Sequence, residues 1–173
     1  MNQKSAIVHA GPVIRPGQLH PEFDAKRAGA AHVIRLGDRY RMVYWGTGAG
    51  GNYILQAEAP VERPNDWRAL GGPLIGPQPE TDYNTFGPGF PFLLPVTESY
   101  WLLYFCGWGK SVDGKLPNTT GVAISENGGG SWRYYDRHPV IALDQPYDRE
   151  GTGSVWVLLE NGRFRMYYTS IGS

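Results

Sequence analysis

A 24-residue pattern occurs twice in this chain in unbroken register, and it restricts the fold more than any other feature. FDAKRAGAAHVIRLGDRYRMVYWG runs from Phe23 to Gly46, and YDREGTGSVWVLLENGRFRMYYTS from Tyr147 to Ser170. Asp24 and Asp148, Gly29 and Gly153, Val33 and Val157, Met42 and Met166, Tyr44 and Tyr168 are all 124 positions apart. A third copy, TDYNTFGPGFPFLLPVTESYWLLYFCG, lies between them, with Asp82 and Gly87 keeping the five-residue Asp-to-Gly step. Tyr104 falls 60 positions after Tyr44 but Asp82 only 58 after Asp24, so a turn two residues longer is expected in the middle copy. A second signal has the same period. GPVIRP at 11–16 returns as GPLIGP at 72–77 and HPVIAL at 138–143, each ahead of one of the three aspartates. Self-similarity at a period of this size marks a repeat architecture.

Each copy reads as a loop, an apolar strand, a tight turn and a second, aromatic strand. Gly37-Asp38 and Asn161-Gly162 suit two-residue hairpins. Strands are expected near 31–36, 40–46, 51–58 and 66–75, then near 90–95, 100–106, 119–125 and 131–141, with almost no helix, since no apolar period of 3.6 is sustained. The 24 Gly, 14 Pro and 23 aromatic side chains (6 Trp, 11 Tyr, 6 Phe) fit many short strands and turns. Four antiparallel strands per unit, repeated in sequence, describe blades of an all-β propeller. A sandwich also has many short strands but does not call for the same Asp, Gly and Tyr at matched offsets. The expected domain is a single partial propeller over 1–173, with blades at 24–77, 82–143 and 148–173 and an outer strand of a preceding blade at 6–14. That is about two and a half blades, whose open ends expose unpaired edges. A homo-oligomer that closes the ring is the expected arrangement, with a longer chain as the alternative.

Charge and cysteine content narrow the function classes. The 16 basic and 16 acidic side chains cancel, so neither nucleic acid nor a membrane surface is expected as partner. Cys106 stands alone and the four histidines lack paired spacing, so no disulfide, transition-metal site or cofactor is expected. No signal-peptide-like or 18-residue apolar run occurs, which points to the cytoplasm.

The run Asp, loop, Gly, apolar strand, turn, Tyr-Arg-Met-x-Tyr resembles the blades of the five-bladed propeller glycosidases, the invertase, levansucrase and arabinanase group and their uncharacterised relatives. The residues that carry the likeness are Gly11 to Gly17, Phe23-Asp24, Gly29, His32 to Ile34, Tyr40 to Gly46 and Tyr147 to Thr169. The likeness covers nearly the whole chain and corresponds to the N-terminal half of such enzymes. It implies a carbohydrate or similar small-molecule ligand held in a central funnel, and carboxylates from different blades acting on a glycosidic bond. Such chemistry needs one carboxyl to protonate the leaving oxygen and an ionised one to answer a cationic transition state. The likeness implies Asp24 as base or nucleophile, Glu150 or Asp148 as acid, and Asp82 as the aspartate that orients a sugar hydroxyl. The chain departs from the invertase-like pattern at the strand mouths, where Gly29 or Ala30, Gly89 or Phe90, and Gly153 stand in place of aspartate. A propeller that binds sugar without cleaving it is therefore the alternative.

Each candidate also has a structural reading. Asp24, Asp82 and Asp148 recur in every unit, as a residue that caps backbone amides would. Glu150 occurs once. His32 alternates with Ala31 and Val33, which turns it to the funnel or makes it a core histidine bonded to backbone. Arg27 is a ligand contact or a solvated loop cation. Tyr53, Tyr83, Asn84, Trp108 and Trp156 are candidates for a sugar platform, whereas Tyr44, Tyr104 and Tyr168 are assigned to equivalent core positions. SENGGGSW at 125–132 resembles the Asp-box turn of sialidase-like propellers, through Ser125, Asn127, Gly129, Ser131 and Trp132.

Overall fold

The computed structural model describes residues 11–110 and 117–172. Among these residues ten strands follow one another with a single 3₁₀ turn, Pro146–Asp148. The first blade consists of β1 (Arg27–Leu36), β2 (Arg39–Thr47), β3 (Asn52–Pro60) and β4 (Arg68–Ala69), hydrogen-bonded in that order. The second consists of β5 (Gly87–Pro95), β6 (Trp101–Trp108), β7 (Asn118–Ser125) and β8 (Arg133–Tyr134). The third supplies β9 (Gly151–Glu160) and β10 (Arg163–Ile171). Pairing inside each blade is antiparallel. One parallel pair, Asn118 with Gly151, links the second blade to the third. A Cβ at Gly151 would lie 3.0 Å from the Asn118 carbonyl oxygen, so only glycine allows this approach.

The hairpins form where the turn residues put them. Gly37 has φ +60° at the first central position between β1 and β2, and Asn161 and Gly162 are both left-handed between β9 and β10. Both geometries match the twist of the strands they join.

The fourth strands are shorter than expected, two residues each. Pro73 and Pro139 have no N–H to give to a ladder, which breaks the outer edge. The Pro-aliphatic-Ile repeat rejoins the sheet after the break, with Ile54 N–H donating to the Ile75 carbonyl (3.1 Å) and Val140 N–H to that of Thr120 (2.8 Å). Of the outer strand expected at 6–14, residues 6–10 lie outside the described residues and 11–14 form no strand.

Alternation along the strands sends their apolar side chains to the blade interfaces. Val43 and Ile54 meet Leu93, Leu103 and Phe105 between the first and second blades. Phe92, Leu102, Tyr104 and Val122 meet Val155 and Val157 between the second and third. Met42, Tyr44 and Leu55 lie on the far face of the first blade. Each fully buried side chain of this size contributes about 2 kcal/mol.

The blades superpose in a register that corrects the one expected for the middle copy. A Cβ on Gly46 would sit 2.9 Å from Asp24 Cβ, and one on Gly107 would sit 3.3 Å from Asn84 Cβ. Likewise Gly48 closes on Phe23 Cα and Gly109 on Tyr83 Cα, each at 2.9 Å. Asn84 is therefore the counterpart of Asp24, while Asp82 corresponds to Glu22. The second strand follows suit. Tyr104 faces the third blade, and Phe105 occupies the place of Tyr44. Tyr44, Tyr104 and Tyr168 are thus not three equivalent core tyrosines, and Tyr168 is 37% exposed.

Candidate functional site at the propeller mouth

In the first two blades the inner strand begins, the second ends and the third begins at one end of the sheet, and in the third blade β9 begins and β10 ends there. Three residues enter this rim by the same hydrogen bond. Lys26, Phe86 and Glu150 donate their backbone N–H to the carbonyls of Thr47, Trp108 and Ile171, at 2.9, 3.0 and 2.8 Å. The rim thus has a cation in the first blade, an aromatic ring in the second and a carboxylate in the third. One residue further on, Arg27 stands where the other blades have Gly87 and Gly151.

Just inside the rim all three inner strands bulge. The ladder slips between Gly29 and His32 and between Gly89 and Phe92, and on β10 between Tyr167 and Thr169 opposite Gly153. The bulged residues Ala30, Phe90 and Ser154 have φ of +46°, +46° and +49°. For side chains with a Cβ this left-handed backbone is strained, and such strain clusters at functional sites. In the second blade the bulge lifts the Phe90 ring against two tryptophans, 5.5 Å from Trp45 and 5.8 Å from Trp108.

Those tryptophans form the wall of a rim pocket. The Trp45 and Trp108 ring centroids are 4.8 Å apart. The Arg27 guanidinium carbon lies 4.9 Å from the centre of the Trp45 ring, a cation–π contact. Asn52 Oδ1 accepts from the Trp45 indole (3.1 Å) and from the Thr47 hydroxyl (2.8 Å), which fixes both. With Lys26 and Phe86 these residues enclose about 360 Å³, open to solvent. A concave aromatic wall with a few convergent polar groups is the usual form of a small-molecule site.

The funnel beside this pocket is lined by Ala31, His32, Phe90, Phe92, Ser154 and Trp156. His32 combines its two expected roles. It lines the funnel, stacked on Phe92 at 4.4 Å, while its Nδ1 accepts the Leu93 backbone N–H at 3.0 Å. Burial pushes its pKa below the ordinary value. Trp156 stands edge-on to His32 at 6.1 Å and is 55% exposed.

The aspartates are placed differently from one another. Asp24 is fully buried, with Oδ1 accepting the Gly17 N–H (3.0 Å) and Oδ2 the Tyr44 hydroxyl (2.9 Å). Asp148 is buried and takes the Tyr168 hydroxyl on Oδ2 (3.2 Å), while its Oδ1 has no partner among the described residues. Asp82 is exposed on the rim loop, and Lys110 at 2.9 Å lowers its pKa. Glu150 is exposed at the mouth of the third blade.

Of the residues expected to contact a ligand, the rim pocket unites Arg27 and Trp108, and the funnel holds His32. Tyr53 is half-buried edge-on against Phe23 at 5.0 Å. Tyr83 is buried with its hydroxyl donated to the Asp136 carbonyl. Asn84 is buried too, its amide donating to the Gly76 carbonyl, Gln78 Oε1 and the Tyr134 hydroxyl. Lys26, Trp45, Thr47, Asn52, Phe86 and Phe90 are the site residues that sequence reasoning missed. Strand alternation was the available signal, since Trp45 must face opposite to Tyr44.

No family model matches the chain. Two uncharacterized proteins of Mycobacterium tuberculosis, MT1551 and Rv1502, are 41% identical to it over 69 residues, which is 40% of this chain and 22% of theirs. Among solved structures, a glycoside hydrolase matches 82% of the chain with a TM-score of 0.64 and 19% identity, over 47% of its own length. Zg3597, a family 117 glycoside hydrolase of the marine bacterium Zobellia galactanivorans, matches 80% with a TM-score of 0.62 and 14% identity, over 46% of its length. A thermostable family-43 glycoside hydrolase matches 82% with a TM-score of 0.59 and 17% identity, over 41% of its length. The chain spans a little under half the length of these structures and aligns with about a fifth of the two mycobacterial proteins. Its fold is that of about half of a five-bladed β-propeller glycoside hydrolase.

Proposed function

We propose that the chain belongs to a carbohydrate-processing propeller that holds a sugar against the Trp45–Trp108 wall. The rim pocket itself carries this reading. Sugar rings present C–H faces that stack on indoles, and the Asn52 amide and Arg27 supply donors beside them. Glu150 is the carboxylate we assign to the glycosidic bond, as proton donor to the leaving oxygen, because it enters the rim at the position of Lys26 and occurs in one blade only. Asp24 and Asp148 brace the loops that lead into the inner strands, and Asp82 is a rim residue held by Lys110.

The test combines calorimetric binding of an oligosaccharide panel with turnover of aryl glycosides. Trp45→Ala and Trp108→Ala are expected to abolish binding. Glu150→Gln is expected to abolish turnover and leave binding intact. Binding by the unaltered protein with no turnover of any substrate would leave a binding module, the role suited to strand mouths occupied by Gly29, Gly89 and Gly153. Binding that survives loss of both tryptophans would overturn the site.

A further inference from the structure

We propose that the sugar taken by the rim pocket is anionic, its carboxylate or sulfate group held by Arg27 and Lys26. The inference rests on the pocket being a sugar site and adds the charge of its ligand.

The charged groups of the wall are of one sign. Among the described residues, Lys26 and Arg27 line the pocket and no carboxylate does. Neither makes an ion pair with a carboxylate among the described residues, although Arg39 with Glu58, Arg63 with Asp66, Lys110 with Asp82, Arg133 with Glu126 and Arg165 with Glu160 all do. In a chain whose charges cancel at 16 against 16, two adjacent unpaired cations in an aromatic pocket are a local excess. The Arg27 guanidinium lies over the Trp45 ring. A guanidinium carries five N–H donors in a fork that suits bidentate bonding to a carboxylate or sulfate.

The neutral polar groups lean the same way. Asn52 Oδ1 already accepts two hydrogen bonds, so what Asn52 has left for a ligand is its amide N–H. The Thr47 proton is committed to Asn52 and leaves one weak acceptor. The pocket therefore offers donors to a group that only accepts. Glu150, at the Lys26-equivalent place in the third blade, puts the rim's carboxylate on another blade, outside the lining of this pocket.

The experiment measures affinities of the 173-residue protein for length-matched oligosaccharides in three arms: oligogalacturonate, a sulfated galactan fragment and neutral galacto-oligosaccharide. At least one charged arm is expected to bind about tenfold or more tightly than the neutral one at low salt, with the advantage shrinking as salt rises. Whichever charged arm prevails identifies the anion as carboxylate or sulfate. Arg27→Gln is expected to weaken the charged arms at least about tenfold more than the neutral one and so erase the advantage, and Lys26→Gln to reduce it. Thermal melts confirm that each variant is folded. Equal affinities across the arms, or an equal loss in all arms on Arg27→Gln, would overturn the charge assignment while leaving the sugar site standing. Failure of every sugar to bind would instead overturn the site itself.

Discussion

Tyr44 donates its hydroxyl to Asp24 across 2.9 Å inside the first blade, and Tyr168 repeats the bond to Asp148 at 3.2 Å in the third. In the second blade both partners change together, to Phe105 and Asn84. The carboxylate and the hydroxyl that satisfies it are one structural unit, kept or lost as a pair. Asp24 is a fully buried carboxylate with a donor on each oxygen, and the proposed reading gives it the role of bracing the loop that leads into β1.

Removal of one member is therefore expected to cost more than removal of both. Tyr44→Phe leaves Asp24 Oδ2 buried without its donor, at a cost of about 2 kcal/mol. Asp24→Asn combined with Tyr44→Phe imports the pairing of the second blade, and its loss should be smaller than the sum of the single losses. Urea unfolding of the three variants measures the coupling. Additive losses, or an Asp24→Asn variant that keeps its stability and loses turnover, would return Asp24 to the catalytic role.

The bulge of the first blade supplies a second test. Ala30 holds φ at +46°, where a Cβ is unfavourable. Ala30→Gly should remove that strain at some cost in unfolded-chain entropy, for a net gain of about 0.5–1 kcal/mol. A melting midpoint raised by roughly 1–4 °C is the expected outcome. A lowered midpoint would mean that the methyl group packs to more effect than the backbone is strained.

Much of this arrangement was legible in the chain, and the exceptions have identifiable causes. The 124-residue register aligned the first and third blades down to their bulges, where Ala30 and Ser154 hold nearly the same left-handed φ. The middle blade was misaligned because aspartate was used as its anchor. With Asp24 and Tyr44 replaced jointly by Asn84 and Phe105, the nearest acidic residue, Asp82, drew the alignment off by two positions. The close approaches of Gly46 and Gly48 to the incoming loop, repeated at Gly107 and Gly109, were the truer marker. Trp108 was singled out because it follows Gly107 beyond the strand end expected at 106, although β6 runs on to include it. Trp45 was hidden inside an aromatic run, where alternation with Tyr44 was the signal left unused, and its partners across the blade boundary place it at the mouth.

His32 gives the fold a pH dependence with a definite sign. Its Nδ1 must remain unprotonated to accept the Leu93 N–H, and burial lowers its pKa from 6.5. Above 6.5 the ring is neutral whether the chain is folded or not, and the full contribution is present. As pH falls below that value the unfolded chain takes up a proton that the folded one resists, so stability declines until the lowered folded pKa is reached. His32→Gln should remove this portion of the acid slope between native and variant unfolding curves. Parallel curves from pH 7 down to 5 would sink the assignment.

The final expectation concerns the uncovered faces. Phe164, Tyr167 and Ile171 on the edge strand β10 are 51%, 54% and 42% exposed. Beside them Phe164 and Met166 form, with Leu102, Tyr104, Val122 and Ile124, an apolar groove of about 370 Å³. An edge with free backbone groups and this much apolar surface favours pairing over hydration. We expect the 173-residue protein to self-associate at micromolar concentration, with β10 buried in the contact. Light scattering coupled to size exclusion measures the mass. Tyr167→Lys, which places a charge on the edge, should shift the population toward the 19.2 kDa monomer. A monodisperse monomer of the unaltered chain would show that water alone covers these faces and would remove self-association as the means of closing the ring.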